Sequence, residues 1–251
     1  KPSGDELPVL GEAPEFTGTQ RWFNTSSPDG LTLAGLRGKV VLVDFWTYTC
    51  INCIRTLPYL KAWDARYRPK GLTIVGVHTP EFPFEKDAGN VVDAIKQNGL
   101  KYPVVQDYAT WDAYANRYWP AKYLIDAEGR VRYTHFGEGD DEETEQAIRD
   151  LLAEAGHTPG AHARATGETA SPNVTTPETY LGSARAERFA NGPIMAGTRK
   201  YEAPDGGPAD DGLAYGGTWK ISSDAATAVS DSELQLRFGA RRVFLVLGSS
   251  G

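Results

Sequence analysis

The chain has 251 residues, 40% hydrophobic and 24% charged, enough for one or two domains with a sizeable core and unlike a collagenous or wholly disordered composition. Its longest apolar runs, such as VVLV at 40–43 and VFLV at 243–246, are strand-sized and fall short of the roughly 18 residues of a membrane span. Thirty-three acids against 26 bases give a net charge of −7, which argues against non-specific attraction to nucleic acid or anionic membranes.

Residues 14–39 predict a hairpin-like lead-in: EFTGTQRWFN, a turn at Ser27-Pro28-Asp29-Gly30, then LTLAGLRGK. KVVLVDFW at 39–46 is near-continuously apolar with one acid in it, the pattern of a strand buried on both faces. From Cys53 to Tyr67, Leu57, Leu60, Trp63 and Tyr67 mark a helical stripe, with Pro58 expected to kink it. LTIVGVH at 72–78 is the next strand, 87–98 a short helix ending near Gly99, and YPVVQD at 102–107 a short strand. TWDAYANRY at 110–118 predicts another helix. KYLID at 122–126 and VRYTHF at 131–136 flank a hairpin turn at Ala127–Arg130, and 142–155 is an amphipathic helix.

Strands alternating with helices make an α/β unit, assigned to residues 1–156. The Pro-, Gly-, Thr- and Ala-rich stretch that follows reads as a linker at 157–175. Residues 176–251 read as an all-β module, with turns at 205–212, strands at 215–222, 233–238 and 241–247, and one short helical turn near 182–190. It is short for a closed sandwich. No leader pattern opens the chain at Lys1, and it stops just after an apolar strand-like run, so both ends read as boundaries of a fragment.

The two cysteines, Cys50 and Cys53, form a CxxC pair. Two scattered cysteines fall at this spacing only about once in a hundred chains, and a disulfide between them closes too small a loop to act as a staple. A CxxC between a buried strand and a helix has a mechanism. The first sulfur lies at the helix N-terminus, where free N–H groups and the dipole favour a thiolate. The second lies one turn on, within reach of the first, and resolves a mixed disulfide. A structural zinc needs four ligands, and His78, His135, His157 and His162 supply no matching pair. No metal and no cofactor beyond the cysteine pair is expected.

VVLVDFWTYTCINC resembles the thioredoxin superfamily in the order of strand, acid, aromatic residues and motif. The resemblance implies roles residue by residue. Cys50 is the nucleophile and Cys53 resolves. Asp44 is the buried acid that assists proton transfer from the resolving thiol. Trp46 packs beside the site, and Trp119-Pro120 stands at the superfamily's cis-proline, whose loop binds extended substrate backbone. Tyr48, Trp119 and Glu81 join Trp46 as candidate substrate-side residues. Whether His78 or Glu81 approaches the sulfurs stays open. Plain packing remains the rival reading for Trp46 and Tyr48, and a core ion pair the rival for Asp44. The dipeptide Ile51-Asn52 between the cysteines departs from the Gly-Pro of ordinary thioredoxins and leaves the potential open.

The lead-in APEFTGTQRWF with LTLAGLRGKVVLVDFW is similar to the extracytoplasmic TlpA/ResA-type branch. WTYTCINC, GVHTPEF and TPETYLG resemble the soluble C-terminal portion of the DipZ family. That resemblance implies an α/β thioredoxin-like domain followed by a jelly-roll or carbohydrate-binding-like β segment. It further implies protein dithiol and disulfide substrates in the cell envelope. Electrons would come from a CcdA-like, cytochrome c biogenesis-type membrane donor outside this chain, and the direction would be reductive. The rival reading is a glycan- or partner-binding module carrying a thioredoxin-like adaptor. On that reading Tyr180, Tyr201, Tyr215 and Trp219 would stack on sugar rings, although an aromatic core explains them more simply.

Overall fold

The computed structural model describes residues 6–27, 29–168 and 176–248. The chain divides into two compact units, Lys1–Ala170 with Val246–Gly251, and Ser171–Leu245.

The first unit is built on a seven-stranded sheet. Its strands are β1 (Gly11–Glu12), β2 (Thr19–Phe23), β3 (Val40–Trp46), β4 (Leu72–His78), β5 (Val104–Asp107), β6 (Ala121–Ile125) and β7 (Arg130–Phe136), in the order β1-β7-β6-β3-β4-β5-β2. Strand β3 is central, parallel to β4 and antiparallel to β6. All seven of its residues are buried, as its apolar run requires of a strand covered on both faces. Helices α1 (Ile51–Tyr67), α2 (Ala88–Gln97), α3 (Thr110–Ala113) and α4 (Asp141–Glu154) complete the unit. Alternation divides β3 between two cores. Val40, Leu42 and Trp46 face a core shared with α1, α2 and α4, and Val41, Val43 and Phe45 face the core that holds Phe16, Leu36 and Tyr114.

Two local expectations differ from the structure. Among the described residues of 14–39 there is no hairpin: β2 pairs antiparallel with β5, Trp22 opposite Val105. The following segment curls into a 3₁₀ turn at Ala34–Leu36, because the Glu15 carboxylate accepts the N–H groups of Leu33 (2.7 Å) and Ala34 (3.2 Å). At the expected turn, Gly30 N–H donates to Ser27 O (3.1 Å), while Pro28 lies outside the described residues. The helix expected at 110–118 stops at Ala113, and Ala115 turns left-handed (φ 49°). Pro58 lies inside α1, in its first half, as the sequence placed it.

The first residues of the expected linker are tied to the helices. Arg66 donates to Ala161 O (2.9 Å), Arg149 to Gly160 O (2.7 Å), and Ala163 N–H to Glu145 (2.6 Å). Residues 169–175 lie outside the described residues.

The second unit holds one three-stranded antiparallel sheet among its described residues: β8 (Gly197–Tyr201), β9 (Leu213–Ile221) and β10 (Ala226–Leu236), with β9 in the middle. Strand β8 falls in a polar, exposed run, GTRKY, with no apolar alternation to announce it. Residues 241–247 form no strand; Val243, Phe244, Leu245, Val246 and Leu247 are exposed. Tyr215 and Trp219 are buried in the unit's core with Ile194 and Ile221, against which Tyr201 and Phe189 pack. Their rings fill the interior, which is the simpler of the two sequence readings for them.

Candidate active site

Strand β3 delivers the chain to the CxxC. Its last residue, Trp46, is followed by a turn in which Cys50 N–H donates to Thr47 O (3.3 Å), and α1 begins at Ile51. Cys50 is the helix N-cap, extended at φ −77° and ψ 108°, and its Sγ accepts the backbone N–H of Cys53 (3.2 Å). An N-cap acceptor is normally an oxygen of Ser, Thr, Asp or Asn; here a sulfur fills the place. The helix start therefore supplies donors to whatever negative charge gathers on Cys50. Both cysteines are free thiols. Cys50 keeps 8% of its surface open, while Cys53 is fully buried. Burial first, then the adjoining Cys50, pushes the Cys53 thiol well above the ordinary cysteine range, and the charge of Asp44 adds to the rise. Cys53 thus needs a proton acceptor before it can act as a nucleophile.

Asp44 lies two residues before the end of β3, on the face that α1 covers, and is fully buried. Desolvation raises its carboxyl to about 6 against the pull of Lys122, whose Nζ lies 3.8 Å from Oδ1. The expectation for Asp44 named no partner, and the structure supplies one. Lys122 stands directly opposite Asp44 in the β3–β6 register and is 1% exposed. A lysine inside KYLI, a strand otherwise suited to full burial, was the available signal for it.

The aromatic residues gather around the cysteines. Trp46 belongs to the buried cluster that includes Cys50 and Cys53, and Tyr48 and Trp119 pack against it from partly exposed positions. Trp119 packs at a 33° tilt against Trp111 (4.1 Å between ring centroids) and donates Nε1–H to Thr79 O (3.1 Å). The Trp119–Pro120 peptide is cis, and Pro120 is buried.

His78 and Glu81 fare differently. His78 is buried, stacked on Tyr48 (5.5 Å, 15°), edge-on to Trp46 (5.3 Å) and hydrogen-bonded to Thr47 Oγ1 (3.3 Å). Burial holds its imidazole down at about 4, so it is neutral at physiological pH. Glu81 is half-buried, and its backbone N–H donates to Glu85 (2.6 Å). The acid that organises this loop is Glu85, which the sequence reading passed over. Its buried carboxylate also accepts Phe82 N–H (2.9 Å) and the hydroxyl of Thr49 (2.5 Å), the residue before Cys50. Pro83 at the first position of the 3₁₀ turn Pro83–Lys86 with an acid at the third, which reaches back to the Phe82 N–H, is the half of a capping box that could have revealed it. Among the described residues no group of three or more His, Cys, Asp or Glu side chains is placed to hold a metal ion. No helix of the described residues is long and apolar enough to cross a membrane.

Residues 8–152 match the Redoxin family, and residues 176–251 match the domain described as thioredoxin like C-terminal domain. The chain is 40% identical over 255 residues to Protein DipZ of Mycobacterium tuberculosis, covering 98% of this chain and 36% of DipZ. It therefore spans about a third of the length of that relative. It is 29% identical over 144 residues to the thiol-disulfide oxidoreductase YkuV of Bacillus subtilis, covering 56% of this chain and 94% of YkuV. The crystal structure of a thioredoxin-like superfamily protein matches with a TM-score of 0.52 at 29% identity, covering 62% of this chain and 100% of that one.

Proposed function

The chain belongs to the Redoxin family, and from that premise we propose that it is a thiol–disulfide oxidoreductase acting through Cys50 and Cys53. The observation that carries the reading is the inequality of the two sulfurs. Cys50 is reachable and sits on the helix N-terminus, while Cys53 is sealed behind it with its thiol proton held tightly. In the reductive direction the Cys50 thiolate attacks a substrate disulfide. One substrate sulfur leaves as a thiolate, and the other stays bonded to Cys50. Cys53 then gives its proton to Asp44 and attacks Cys50 Sγ. The Cys50–Cys53 bond forms, the second substrate thiolate leaves, and two electrons have passed from the cysteine pair to the substrate.

The remaining assignments follow from this one. Pro120 and Trp119 line the side on which extended substrate backbone would lie, with Trp46, Tyr48 and Glu81 at its margin. Residues 1–156 are the redox domain, 157–175 its connection, and 176–251 the β module. The likeness to DipZ supports an extracytoplasmic setting, a protein disulfide substrate and a CcdA-like membrane donor that regenerates the dithiol. A glycan-binding role for the β module is the weaker reading, since Tyr215 and Trp219 are core residues.

Replacing Cys50 by Ser tests the reading. Disulfide reduction driven by a small dithiol should fall to the uncatalysed rate. Cys53→Ser should instead trap a mixed disulfide with the substrate. Undiminished turnover in Cys50→Ser defeats the assignment.

A further inference from the structure

A chain of hydrogen bonds runs from the dipeptide between the cysteines to the cis peptide. Asn52 accepts from Nη1 of Arg55 (3.3 Å), three residues further along α1. The same nitrogen donates to Glu138 Oε1 (3.1 Å), 83 residues on, in the loop from β7 to α4. Beside Glu138, the Gly137 N–H donates to the carbonyl of Pro120 (2.8 Å), the second residue of the cis peptide. One ion pair therefore joins the CxxC helix to the loop that carries Pro120.

The β7–α4 loop is shaped for this contact. Gly137, Gly139 and Asp140 all take left-handed backbone, at φ 87°, 97° and 48°. A side chain at either glycine would meet nothing within 4 Å, so the backbone turn and not a shortage of space calls for glycine there. Asp140 takes the same conformation without glycine's freedom, and its side chain makes no cap to α4. The turn aims the Glu138 side chain at Arg55, where the two are 20% and 17% exposed, while Asp140 stays exposed. A pair this near the surface adds little to stability, since two long side chains are ordered for a modest attraction. Its distinguishing feature is its place: it spans the two sides between which an extended substrate would be held.

We propose that Arg55 and Glu138 are positioning residues for a polypeptide substrate: their ion pair fixes the separation of Cys50 from the Pro120 loop, so that a disulfide on an extended segment meets the Cys50 sulfur in line for attack. The inference rests on the oxidoreductase reading, with Pro120 on the substrate side, and adds the substrate class that the pair serves. A segment lying along Pro120 must also bring its own sulfur to Cys50, and the two contacts are met together at one separation. Small misplacements of reacting atoms lower rates steeply. A small aromatic disulfide reaches Cys50 without spanning to Pro120 and is indifferent to that separation. Neither Arg55 nor Glu138 reacts; they act through Asn52 and through the loop beside Pro120.

The test compares two substrates with one leaving group, using the full, reduced chain. One is a short unstructured peptide whose cysteine is joined by a disulfide to an aromatic thiol. The other is the symmetric disulfide of that aromatic thiol. In each, the Cys50 thiolate attacks, and an aromatic thiolate leaves with the electron pair of the broken S–S bond and is read by its absorbance. The remaining half stays bonded to Cys50 until Cys53 displaces it and closes the Cys50–Cys53 bond. The ratio of kcat/KM for the peptide to that for the small disulfide cancels any change in the ionisation of Cys50. In Glu138→Gln and in Arg55→Met this ratio should fall about fivefold, chiefly through KM. The double variant should fall no further, because the pair acts as a unit. Arg55→Lys keeps the charge and should retain most of the ratio. Both positions lie near the surface, so these changes leave the buried cores intact. A wild-type ratio in the folded single variants overturns the proposal. So does an additive loss in the double variant, or an Arg55→Lys ratio as low as that of Arg55→Met. A wild-type chain that releases no thiolate from either substrate instead defeats the oxidoreductase reading itself.

Discussion

Asp44 and His78 lie on neighbouring strands beside the cysteines, and burial gives their titrations opposite consequences for stability. The Asp44 carboxyl is raised from 3.8 to about 6, so between those values the folded chain holds a proton that the unfolded chain has released. Stability therefore falls as pH rises through that window, by about 3 kcal/mol. Asp44→Asn removes this dependence. Its stability relative to wild type, measured by urea unfolding, should climb by about 3 kcal/mol between about pH 4 and about pH 7. His78 runs the other way. Its imidazole is lowered from 6.5 to about 4, so in acid the unfolded chain binds a proton that the folded chain refuses. Wild type should lose about 2 kcal/mol between about pH 7 and about pH 5 that a His78→Phe variant does not lose. Phe keeps a ring to stack on Tyr48 and cannot titrate. At this scale the sequence named Cys50, Cys53 and Asp44, because a CxxC and a lone acid in an apolar strand stand out locally. It did not name Lys122 or Glu85. Each matters through a partner far along the chain, Asp44 for the lysine and Thr49 for the acid.

Elements written as continuous apolar or amphipathic runs were legible: β3, α1, β4, the β6–β7 hairpin and α4. Elements defined by a distant neighbour were not. Strand β2 finds its partner in β5 rather than in the next segment, and a strand with no clear alternation carries no mark of which edge it will join. The apolar run at 241–247 shows the converse, since hydrophobic residues make a strand only beside a strand with free hydrogen-bonding groups. The segment after α4 depends on one acid. Glu145, on the buried face of α4, accepts from Tyr67 Oη and from Ala163 N–H, and lies 3.5 Å from His162 Nδ1. Glu145→Ala removes the acceptor of the buried Tyr67 hydroxyl, leaving it the bond from Arg149 (3.3 Å), and releases the backbone at Ala163. The expected cost is about 2 kcal/mol. Amide exchange at Ala163 should rise by an order of magnitude or more, with α1 and α4 still protected in their middle turns. Unchanged exchange at Ala163 would mean that the segment is held by its other bonds, from Arg66 and Arg149.

Across the whole molecule, the residues proposed for the redox chemistry lie within one unit. Cys50, Cys53, Asp44, Lys122 and the cis Trp119–Pro120 peptide all belong to the seven-stranded sheet or to elements directly joined to it. That unit has two buried cores of its own, one on each face of the sheet, and the three-stranded unit has a separate small core around Tyr215 and Trp219. A chain ending at residue 168 keeps every side chain assigned to the reaction, together with the segment that Glu145, Arg66 and Arg149 hold. It should fold cooperatively and release both thiolates from an aromatic disulfide at rates within about twofold of the full chain, because each step depends on contacts inside its own cores. Reduction of a folded protein disulfide can respond differently, since a second unit adds effective concentration when it binds near the same substrate. Equal activity on the small disulfide with weaker activity on a protein substrate would assign the β module to substrate capture. A truncated chain that folds but no longer resolves its mixed disulfide would place part of the catalytic apparatus beyond residue 168.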